Sequence, residues 1–394
     1  MFCLLLGLAA NARADDLVFA DCLRGLRTQA VAAGVSNAAF DTYTASLTPD
    51  MTVLPLLDAQ PEFSTPIWDY LAALVDDRRI ADGQSMLQAN AATLAQVAQK
   101  YQVDPQTVVA VWGVESDYGK TFGKRPLLQS LATLSCFGRR QAFFRGELFA
   151  TLALLQNGDL KPEGLVGSWA GAFGHTQFMP STYRRIAVDG DGDGRRDLVG
   201  SIPDALASTA NYLVRAGWRG GEPWGYEVKL PARFDVALAG RKNKRPLSDW
   251  VARGVTRIDG SPLTGGGNAG VLLPAGVAGP AFLVFRNFDA IYAYNAAESY
   301  ALAIALLSDR LRGGGPLVAA WPTDDPGLGR DARKQLQTLL LARGYAIGSA
   351  DGMIGTATRR AIVAEQQRLG LQPADGRAGR KILDALLKEG PPLP

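Results

Sequence analysis

One glutamate stands where an apolar helical pattern calls for another aliphatic residue. Val108, Val111, Trp112 and Glu115 recur at helical spacing, so they share one face of a helix. Burial on that face disfavours a charged carboxylate, so we expect the pKa of Glu115 to be raised and the group to be protonated near neutral pH. A protonated carboxyl group is what a general acid requires. The alternative is a glutamate paired with an arginine inside the core.

The chain lacks the residues that several other kinds of enzyme chemistry require. It has one histidine, His175, so a hydrolytic triad would have to use it, yet no G-x-S-x-G motif is present. A catalytic zinc site built on several histidines or cysteines cannot be assembled, and no P-loop or G-x-G-x-x-G fingerprint occurs. We interpret His175, between Gly174 and Thr176, as a structural loop residue. Of the kinds of enzyme chemistry considered, the one that uses carboxylate groups remains.

An aspartate-rich loop offers oxygen ligands to a hard cation. Asp189, Asp191 and Asp193 take the first, third and fifth positions of a pattern that resembles the opening of an EF-hand loop. The twelfth position is Gly200 instead of the usual glutamate, so the match is partial. The remaining candidate ligands are the carbonyl of Arg195 and the carboxylates of Asp197 and, if the loop is longer than usual, Asp204. We expect a structural Ca²⁺ (or Na⁺); the alternative is an acidic turn neutralised by neighbouring arginines.

Helical patterns cover most of the chain and must position these residues. Asp104-Pro105 is a strong helix start, and this helix should carry Glu115 and run to about Tyr118. Between Tyr226 and Ala293, valine-rich stretches alternate with glycine and proline, which predicts a small β-rich subdomain. Further helices are predicted over residues 17–45, 66–101, 140–156, 203–217 and 296–311. The expected fold class is mainly α.

The two ends of the chain indicate export and a separate C-terminal module. Residues 1–14 combine a short apolar stretch with an A-x-A cleavage site, which is typical of a secretory signal peptide; a buried N-terminal helix is the alternative. Export leaves Cys22 and Cys136, which either form one disulfide or remain buried thiols. A Gly/Pro-rich linker at 313–327 precedes a compact unit at 328–388 with two helical stretches.

Three motifs, in this order, resemble those of one enzyme family. They are ESDYG at 115–119, GSWAGAFGHTQFMPSTY at 167–183 and DGDGDGRRDL at 189–198. Residues 17–312 thus resemble the B-type lytic murein transglycosylases, and residues 328–388 resemble the small peptidoglycan-binding domain often attached to them. The resemblance implies a lysozyme-like helical catalytic core over 15–312, with the β-rich insertion at about 226–293, and a C-terminal helical peptidoglycan-binding domain.

The resemblance also implies a reaction. In that family the glutamate of the first motif, here Glu115, is the only catalytic carboxylate, and it protonates the oxygen between N-acetylmuramic acid and N-acetylglucosamine. It then acts as base on the muramic 6-hydroxyl, which closes onto C1 and leaves a 1,6-anhydro end without water. Ordinary glycosidases need a second acid, and Asp117, two residues away on a helix, points elsewhere. The N-acetyl group of the substrate would supply the missing nucleophile.

Further site residues follow by motif position. Ser168 matches the serine near the N-acetyl group, Gln177 the substrate-contacting glutamine, and Asn295 the asparagine that completes the site. The softer matches are two arginines that can meet a peptide or lactyl carboxylate, Arg139 and Arg140, and the aromatic residues along the groove, Tyr70, Tyr212, Tyr294 and Tyr300. Stacking a sugar on an aromatic ring is a reasonable role, and core packing is the alternative for each tyrosine.

The C-terminal module departs from its family at one position. Glu365 stands where the family usually has an aromatic residue, and the segment from Asp375 to Gly379 matches only in part. The departure bears on affinity for the cell wall rather than on folding. If the module binds, the linker raises the local concentration of the enzyme on the polymer.

The expected protein is a periplasmic, monomeric enzyme that acts on peptidoglycan glycan strands and needs no cofactor for its chemistry. One alternative is a muramidase that hydrolyses the same bond with water. Another is a non-catalytic wall-binding scaffold, against which the joint presence of the matched site residues argues. The net charge of +3 gives no case for nucleic-acid binding. The apolar stretch near the N-terminus is too short to span a bilayer.

Overall fold

Helices dominate the structure, and the predicted fold class is confirmed. The computed structural model describes residues 3–58, 61–265 and 267–390; for residues 3–13 and Phe63 it describes the backbone alone. The predicted signal peptide, residues 1–14, lies almost wholly outside the described side chains and stays a prediction. In the described part of the chain, no helix is long and apolar enough to cross a membrane.

The elements follow in chain order. The helices are α1 (Cys3–Ala32), α2 (Asn37–Thr44), α3 (Pro61–Ser64), α4 (Ile67–Leu74), α5 (Asp77–Ala89), α6 (Ala91–Tyr101), α7 (Pro105–Ser116), α8 (Leu127–Cys136), α9 (Gln141–Gln156), α10 (Pro180–Ile186), α11 (Ile202–Arg215), α12 (Leu247–Ala252), α13 (Arg286–Tyr292), α14 (Glu298–Leu311), α15 (Arg330–Ala342), α16 (Thr356–Arg368) and α17 (Arg380–Glu389). The strands are β1 (Arg125–Pro126), β2 (Val166–Gly167), β3 (Gly225–Lys229), β4 (Arg245–Pro246), β5 (Thr256–Arg257), β6 (Asn268–Leu272) and β7 (Ala281–Val284), and short 3₁₀ helices span Met51–Asp58 and Val236–Leu238.

The first of two compact units contains Met1–Gln60, Ala92–Tyr101 and Val111–Tyr212. Helices α8 and α9 pack against each other at its centre, with α1 on α8, and with α2 and α10 on α9. Leucines on α8 and α9 are fully buried there, which removes apolar surface from water. A disulfide between Cys22 and Cys136 joins α1 to α8. The sequence left open whether these cysteines form a disulfide or remain buried thiols, and the structure shows the disulfide.

The second unit contains Pro61–Ala91, Gln102–Ala110 and Leu213–Pro394. Its antiparallel sheet has the strand order β4-β6-β7-β3-β5, which confirms the predicted β-rich part. Strand β7 lies in the middle and is buried at every position, as expected for an apolar run covered on both faces. Trp250 of α12 packs with Val271 and Leu283 in the core of this sheet.

The C-terminal helices form a hydrophobic core of their own. Leu336 and Leu340 of α15 pack with Ile362 of α16 and Leu383 of α17. The sequence predicts two helical stretches here, and the structure has three. Helix α17 was missed, although Ile382, Leu383 and Leu386 recur at helical spacing and are buried.

Two long helices that the sequence predicts are interrupted. The stretch 66–101 forms α4, α5 and α6; α5 starts anew after α4 because the Asp76 side chain accepts a hydrogen bond from the Arg79 amide and caps it. The stretch 17–45 is divided in the same way, since the Ser36 side chain accepts from the Ala39 amide and caps α2.

Candidate active site

The helix that carries Glu115 is buried on every side along its middle. From Thr107 to Gly113 each residue of α7 is buried, including Val109 and Ala110, which lie off the predicted apolar face. Val108, Val111 and Trp112 of the predicted apolar face are buried, and burial of α7 extends beyond that face. Glu115 follows where burial becomes partial, and its side chain is half-buried.

Two residues with left-handed backbone angles follow α7. Asp117 has a φ of 50° and Tyr118 a φ of 59°, so α7 ends at Ser116 rather than near Tyr118. Residues other than glycine adopt such angles at a cost in energy. The Ser116 hydroxyl accepts a hydrogen bond from the Gly119 amide (3.0 Å) and donates one to the His175 carbonyl (2.6 Å). A side chain next to the glutamate therefore fixes this turn.

His175 is buried, and its contacts connect the loop of the second motif to α7. Its Nδ1 accepts a hydrogen bond from Trp112 Nε1 (3.1 Å), and its ring lies edge-on to Trp112 and to Phe122, with ring centroids 5.5 and 4.7 Å apart. Burial lowers the pKa of His175, which agrees with a neutral ring whose Nδ1 is an acceptor. A Cβ on Gly119 would lie 2.6 Å from this ring. These contacts fit the interpretation of His175 as a structural residue.

The backbone of the second motif lies in direct contact with the backbone of the segment between α7 and α8. Strand β1 pairs with β2, and a Cβ on Gly123 would lie 1.9 Å from the Gly167 carbonyl oxygen. Within the motif, the Ser168 amide donates to the Ala172 carbonyl (2.8 Å), and the Ser168 hydroxyl accepts from the Ala172 amide (3.0 Å). The Ser168 hydroxyl is thus held in a turn, and the residue is half-buried.

Gln177 is fixed near the same end of α7. Its backbone has a left-handed φ of 48°. Its side-chain amide donates to the Gly174 carbonyl (2.8 Å) and, more weakly, to the Phe122 carbonyl (3.4 Å). Because both acceptors are backbone atoms, the side chain has little freedom to move.

Tyr212 links this loop to the glutamate. Its ring packs on that of Phe178, with ring centroids 5.9 Å apart. Burial raises the pKa of Tyr212, Arg185 lowers it, and the charge of Glu115 raises it. Tyr212 and Glu115 are therefore close enough for their charges to interact. Tyr212 thus interacts with the charge of Glu115 and packs on Phe178, the residue after Gln177, and Ser168 lies on the same loop as Gln177.

The two predicted arginines lie on the surface of the first unit. Arg139 forms an ion pair with Asp58 (2.9 Å) and a hydrogen bond to the Leu57 carbonyl. The guanidinium of Arg140 lies over the Phe143 ring, 4.6 Å from its centroid. Both arginines are exposed, and contact with a substrate stays a prediction.

The remaining candidates belong to the second unit. Asn295 donates a hydrogen bond to Glu62 (3.4 Å), and the Tyr294 ring stacks on that of Tyr300, with centroids 6.3 Å apart. Tyr300 is 3% exposed, so core packing describes it better than a sugar contact. Tyr70 and Tyr294 are half-buried. That Asn295, Tyr70 and Tyr294 meet the substrate of Glu115 stays a prediction.

Three aspartates of the predicted cation loop converge. Carboxylate oxygens of Asp189, Asp191 and Asp204, one from each, lie within 4.8 Å of one another. Asp204 is 1% exposed, and its oxygens accept from the Gly190 amide (2.7 Å) and the Asp197 amide (2.6 Å). Burial raises the pKa of Asp204, the two amides lower it, and the charge of Asp191 raises it.

This geometry fits a hard cation held by three carboxylates. Among the described residues, no Lys, Arg or His forms an ion pair with these three aspartates, so no positive side chain offsets their mutual repulsion, although Asp191 accepts a hydrogen bond from the Ser201 hydroxyl (2.8 Å). Asp193 and Asp197, also predicted as ligands, lie outside this group of carboxylates, and the Arg195 carbonyl as a ligand stays a prediction. The Asp193 carboxylate accepts from the Arg195 amide (2.8 Å), and the Asp197 carboxylate accepts from the Val199 and Gly200 amides (2.9 and 2.8 Å).

Sequence reasoning missed the residues that hold the site in shape. Ser116 was not predicted to have a role, and neither was the bond between Trp112 and His175. The available signal was Ser116 itself, a small polar residue inside the first motif directly after Glu115. Its partner is a backbone carbonyl far along the chain, which no local pattern reveals.

Comparison with known proteins agrees with these observations. The family described as Transglycosylase SLT domain matches residues 18–309, and the family described as Putative peptidoglycan binding domain matches residues 329–386. The chain is 36% identical over 208 residues to membrane-bound lytic murein transglycosylase B of Escherichia coli (strain K12). This match covers 52% of the chain and 56% of that protein, so the chain spans about half the length of this curated relative.

Solved structures are also similar. SltB3 from Pseudomonas aeruginosa, in complex with NAG-anhNAM-pentapeptide, is 47% identical with a TM-score of 0.75, over 94% of this chain and 99% of that chain. The Escherichia coli lytic transglycosylase Slt35, in complex with calcium, is 29% identical with a TM-score of 0.65, over 76% of this chain and 94% of that chain. The first similarity extends over nearly the whole chain.

Proposed function

This chain belongs to the transglycosylase SLT domain family, and we propose that it is a lytic transglycosylase of peptidoglycan. It cleaves the β-1,4 bond between N-acetylmuramic acid and N-acetylglucosamine and leaves 1,6-anhydromuramic acid ends. The observation that carries the proposal is the position of Glu115, half-buried at the end of a buried helix and within electrostatic range of Tyr212. The turn after it is fixed by Ser116, as a catalytic group with a defined position requires.

In the proposed reaction, the carboxyl group of Glu115 acts twice. It gives its proton to the bridging oxygen while the bond from that oxygen to C1 of the muramic residue breaks, and N-acetylglucosamine leaves with a free 4-hydroxyl. The N-acetyl group stabilises the charge at C1. The carboxylate then takes the proton of the muramic 6-hydroxyl as that oxygen bonds to C1. No water is consumed, and Glu115 ends protonated, as it began.

The surroundings of Glu115 support chemistry with a single carboxylate. Asp117 is the neighbouring acid in the chain, and its side chain is 11% exposed and lies 3.9 Å from Lys120 Nζ. The phenol of Tyr212 is protonated at neutral pH, where its ordinary pKa of about 10 lies well above the pH and burial raises that pKa further, so its hydroxyl can donate a hydrogen bond. Ser168 would orient the N-acetyl group, and Gln177, on the same loop, would contact the substrate. Further proposed substrate contacts are Asn295, Arg139, Arg140, Tyr70 and Tyr294.

Product analysis tests the proposed reaction. Purified peptidoglycan is digested with the full chain, and the soluble fragments are analysed by mass spectrometry. Transglycosylation gives anhydro fragments that are lighter by one water than hydrolysed fragments, and we expect these to dominate. Fragments of the hydrolysed mass would instead identify a muramidase. Wall binding without released fragments would identify a scaffold.

The cation that we propose has a structural role. Asp189, Asp191 and Asp204 would hold Ca²⁺ (or Na⁺), supported by their convergence and by the buried position of Asp204. A bound cation would neutralise the three carboxylates and tie the loop to the start of α11. Glu115 needs no cofactor in the reaction written above.

The setting of the reaction is also proposed. We infer that residues 1–14 direct export to the periplasm, where peptidoglycan strands are the partner of a monomeric enzyme. Residues 15–312 would form the catalytic domain, residues 313–327 the linker, and residues 328–388 the peptidoglycan-binding domain.

A further inference from the structure

An arginine of the C-terminal module binds a helix of the catalytic part of the same unit. Arg377 Nε and Nη2 donate to the two carboxylate oxygens of Asp69 on α4, at 2.7 and 2.6 Å. Arg377 also pairs with the carboxylate of Asp325. The three side chains are only 16 to 20% exposed. We call Asp69, Asp325 and Arg377 the Arg377 clasp.

Around the Arg377 clasp, the end of the linker and the backbone of the module lie in direct contact. The Arg380 amide donates to the Pro326 carbonyl (2.9 Å), and Gly327 pairs with Gly379 as an isolated bridge. A Cβ on Gly379 would lie 2.1 Å from the Asp325 carboxylate, and a Cβ on Gly327 would lie 2.6 Å from Asp69 Oδ1. Side chains at these glycines would clash with the acids of the clasp.

The segment before the module is held at a second point. The amides of Val318 and Ala319 donate to the two carboxylate oxygens of Glu227 on β3, at 2.9 and 2.7 Å. The linker at 313–327 therefore lies against its own unit near its middle and at its end. This differs from a free tether whose only effect is on local concentration.

The residue that departs from the module's family is used inside the module. Glu365 is 2% exposed, accepts hydrogen bonds from Tyr345 (2.8 Å) and Arg368 (2.7 Å), and lies 3.7 Å from Arg343. A buried carboxylate with these partners is already satisfied. Glu365 therefore serves the module's own stability, and Arg377 is the arginine that reaches out of the module.

Helix α4 needs such support. It has 8 residues and no side-chain cap at its N-terminus, and isolated helices shorter than about 12 residues are marginal in water. One side of α4 packs on α14, and the Arg377 clasp holds it through Asp69. Tyr70, a proposed substrate contact, is the next residue on α4.

We propose that Arg377 is a positioning residue for the glycan strand. By holding Asp69 it fixes α4 and so keeps Tyr70 in its place along the groove. The C-terminal module thereby contributes to substrate binding in the catalytic domain, whether or not it binds the wall itself. This inference rests on the proposed function and on the proposed role of Tyr70.

The test uses the full chain with Arg377→Ala and steady-state release of fragments from soluble glycan strands. We expect KM to rise about tenfold with kcat within about twofold, since a substrate-binding contact is loosened and the acid/base group is untouched. Arg377→Lys should fall between wild type and Arg377→Ala, because lysine keeps the charge and loses the two-pronged geometry. Arg360→Ala, an exposed arginine of the same module, is the matched control and should match wild type.

A double-mutant cycle separates positioning from general stability. If Arg377 acts through Tyr70, the rise in KM caused by Arg377→Ala should vanish in a Tyr70→Ala background. An undiminished rise in that background would overturn the inference, and so would a KM of Arg377→Ala equal to that of wild type. Asp69→Asn, with the exposed Asp324→Asn as its control, repeats the test from the other side if Arg377→Ala fails to fold.

Hydrogen exchange gives a readout that does not depend on activity. In Arg377→Ala the amides of Ile67–Leu74 should exchange faster, while those of α15 to α17 keep their protection. A wild type that releases no fragments would refute the proposed function alone, and exchange would still decide whether Arg377 holds α4. Unchanged protection of α4 in Arg377→Ala would refute the inference alone.

Discussion

Around Glu115, most of the side chains that hold its position are neutral. Ser116 bonds to a carbonyl and an amide, and His175 accepts from an indole. Such bonds restrain position without adding a charge that would compete with the glutamate for protons. These neutral side chains set the geometry of the turn, and the acidic and basic side chains that follow Glu115, Asp117 and Lys120, lie 3.9 Å apart.

Ser116 gives the first prediction at this scale. Ser116→Ala leaves the buried acceptor at His175 and the donor at Gly119 without their partner, so the free energy of unfolding should fall by about 1–3 kcal/mol. Fragment release should fall as well, because the turn after Glu115 relaxes. Ser130→Ala is the matched control, since that buried hydroxyl has no hydrogen-bond partner among the residues that the structure describes, and it should be close to neutral. Equal losses for both serines would contradict the role given to Ser116.

The single histidine gives a pH prediction. Burial lowers the pKa of His175 in the folded chain, so below the ordinary value of about 6.5 the unfolded chain binds a proton that the folded chain resists. This contribution to stability is complete above pH 6.5 or so and is lost as the pH falls toward the folded pKa. Denaturant unfolding of wild type and His175→Asn at several pH values measures it, and parallel curves for the two proteins would refute the assignment.

At the scale of elements, periodic patterns were sufficient for α9, α14 and the β-rich part. Boundaries set by single side chains were not. Asp76 and Ser36 begin new helices through capping bonds, and Asp117 ends α7 by adopting a left-handed angle. Local spacing predicted one apolar face of α7 and not the burial of its other sides, because that burial depends on neighbours far along the chain.

The site residues could be predicted where a motif fixes them and not where contacts decide. Ser168 and Gln177 lie on one loop, as their common motif implies, and Gln177 is held near the end of α7. Tyr300 is buried, although the family resemblance placed it along the groove. Among the predicted cation ligands, Asp204 joins the cluster, although it follows Asp193 by eleven residues, and Asp193 does not.

The cation loop gives the prediction for this scale. A chelator should lower the melting temperature of wild type, because a cation that binds only the folded chain stabilises it by about 2.7 kcal/mol at a hundred times its Kd. Asp204→Asn should remove this response, whereas Asp193→Asn, outside the cluster, should keep it. Thermal unfolding with and without chelator and added Ca²⁺ is the measurement. A wild type that does not respond would favour an acidic turn without a cation.

At the scale of the whole chain, long-range links hold segments that are far apart in sequence. The disulfide joins residues separated by 114 positions, and the Arg377 clasp joins residues separated by 308. Neither link could be derived from sequence, since spacing left the cysteines open and no local pattern pairs Arg377 with Asp69. Both links are placed so that their loss should loosen one unit without removing its core.

The disulfide gives the prediction for this scale. Removing the link between Cys22 and Cys136 frees a long loop in the unfolded chain, so stability should fall by about 2–5 kcal/mol. Denaturant unfolding of the double variant Cys22→Ser, Cys136→Ser against wild type, each under oxidising and reducing conditions, measures this loss. Reductant should lower the stability of wild type alone. Wild type with unchanged stability in reductant would show that the bond contributes little.

The central claim concerns the carboxyl group of Glu115, and one measurement tests it most directly. Anhydro fragments released from purified peptidoglycan are quantified by mass spectrometry for wild type, Glu115→Gln and the exposed control Glu163→Gln. The amide keeps the size of the side chain and cannot exchange a proton, so release should fall by a factor of about 10³ or more. Glu163→Gln should match wild type, and Glu115→Gln should keep the wild-type melting temperature. Release by a folded Glu115→Gln at near the wild-type rate would remove Glu115 from the mechanism.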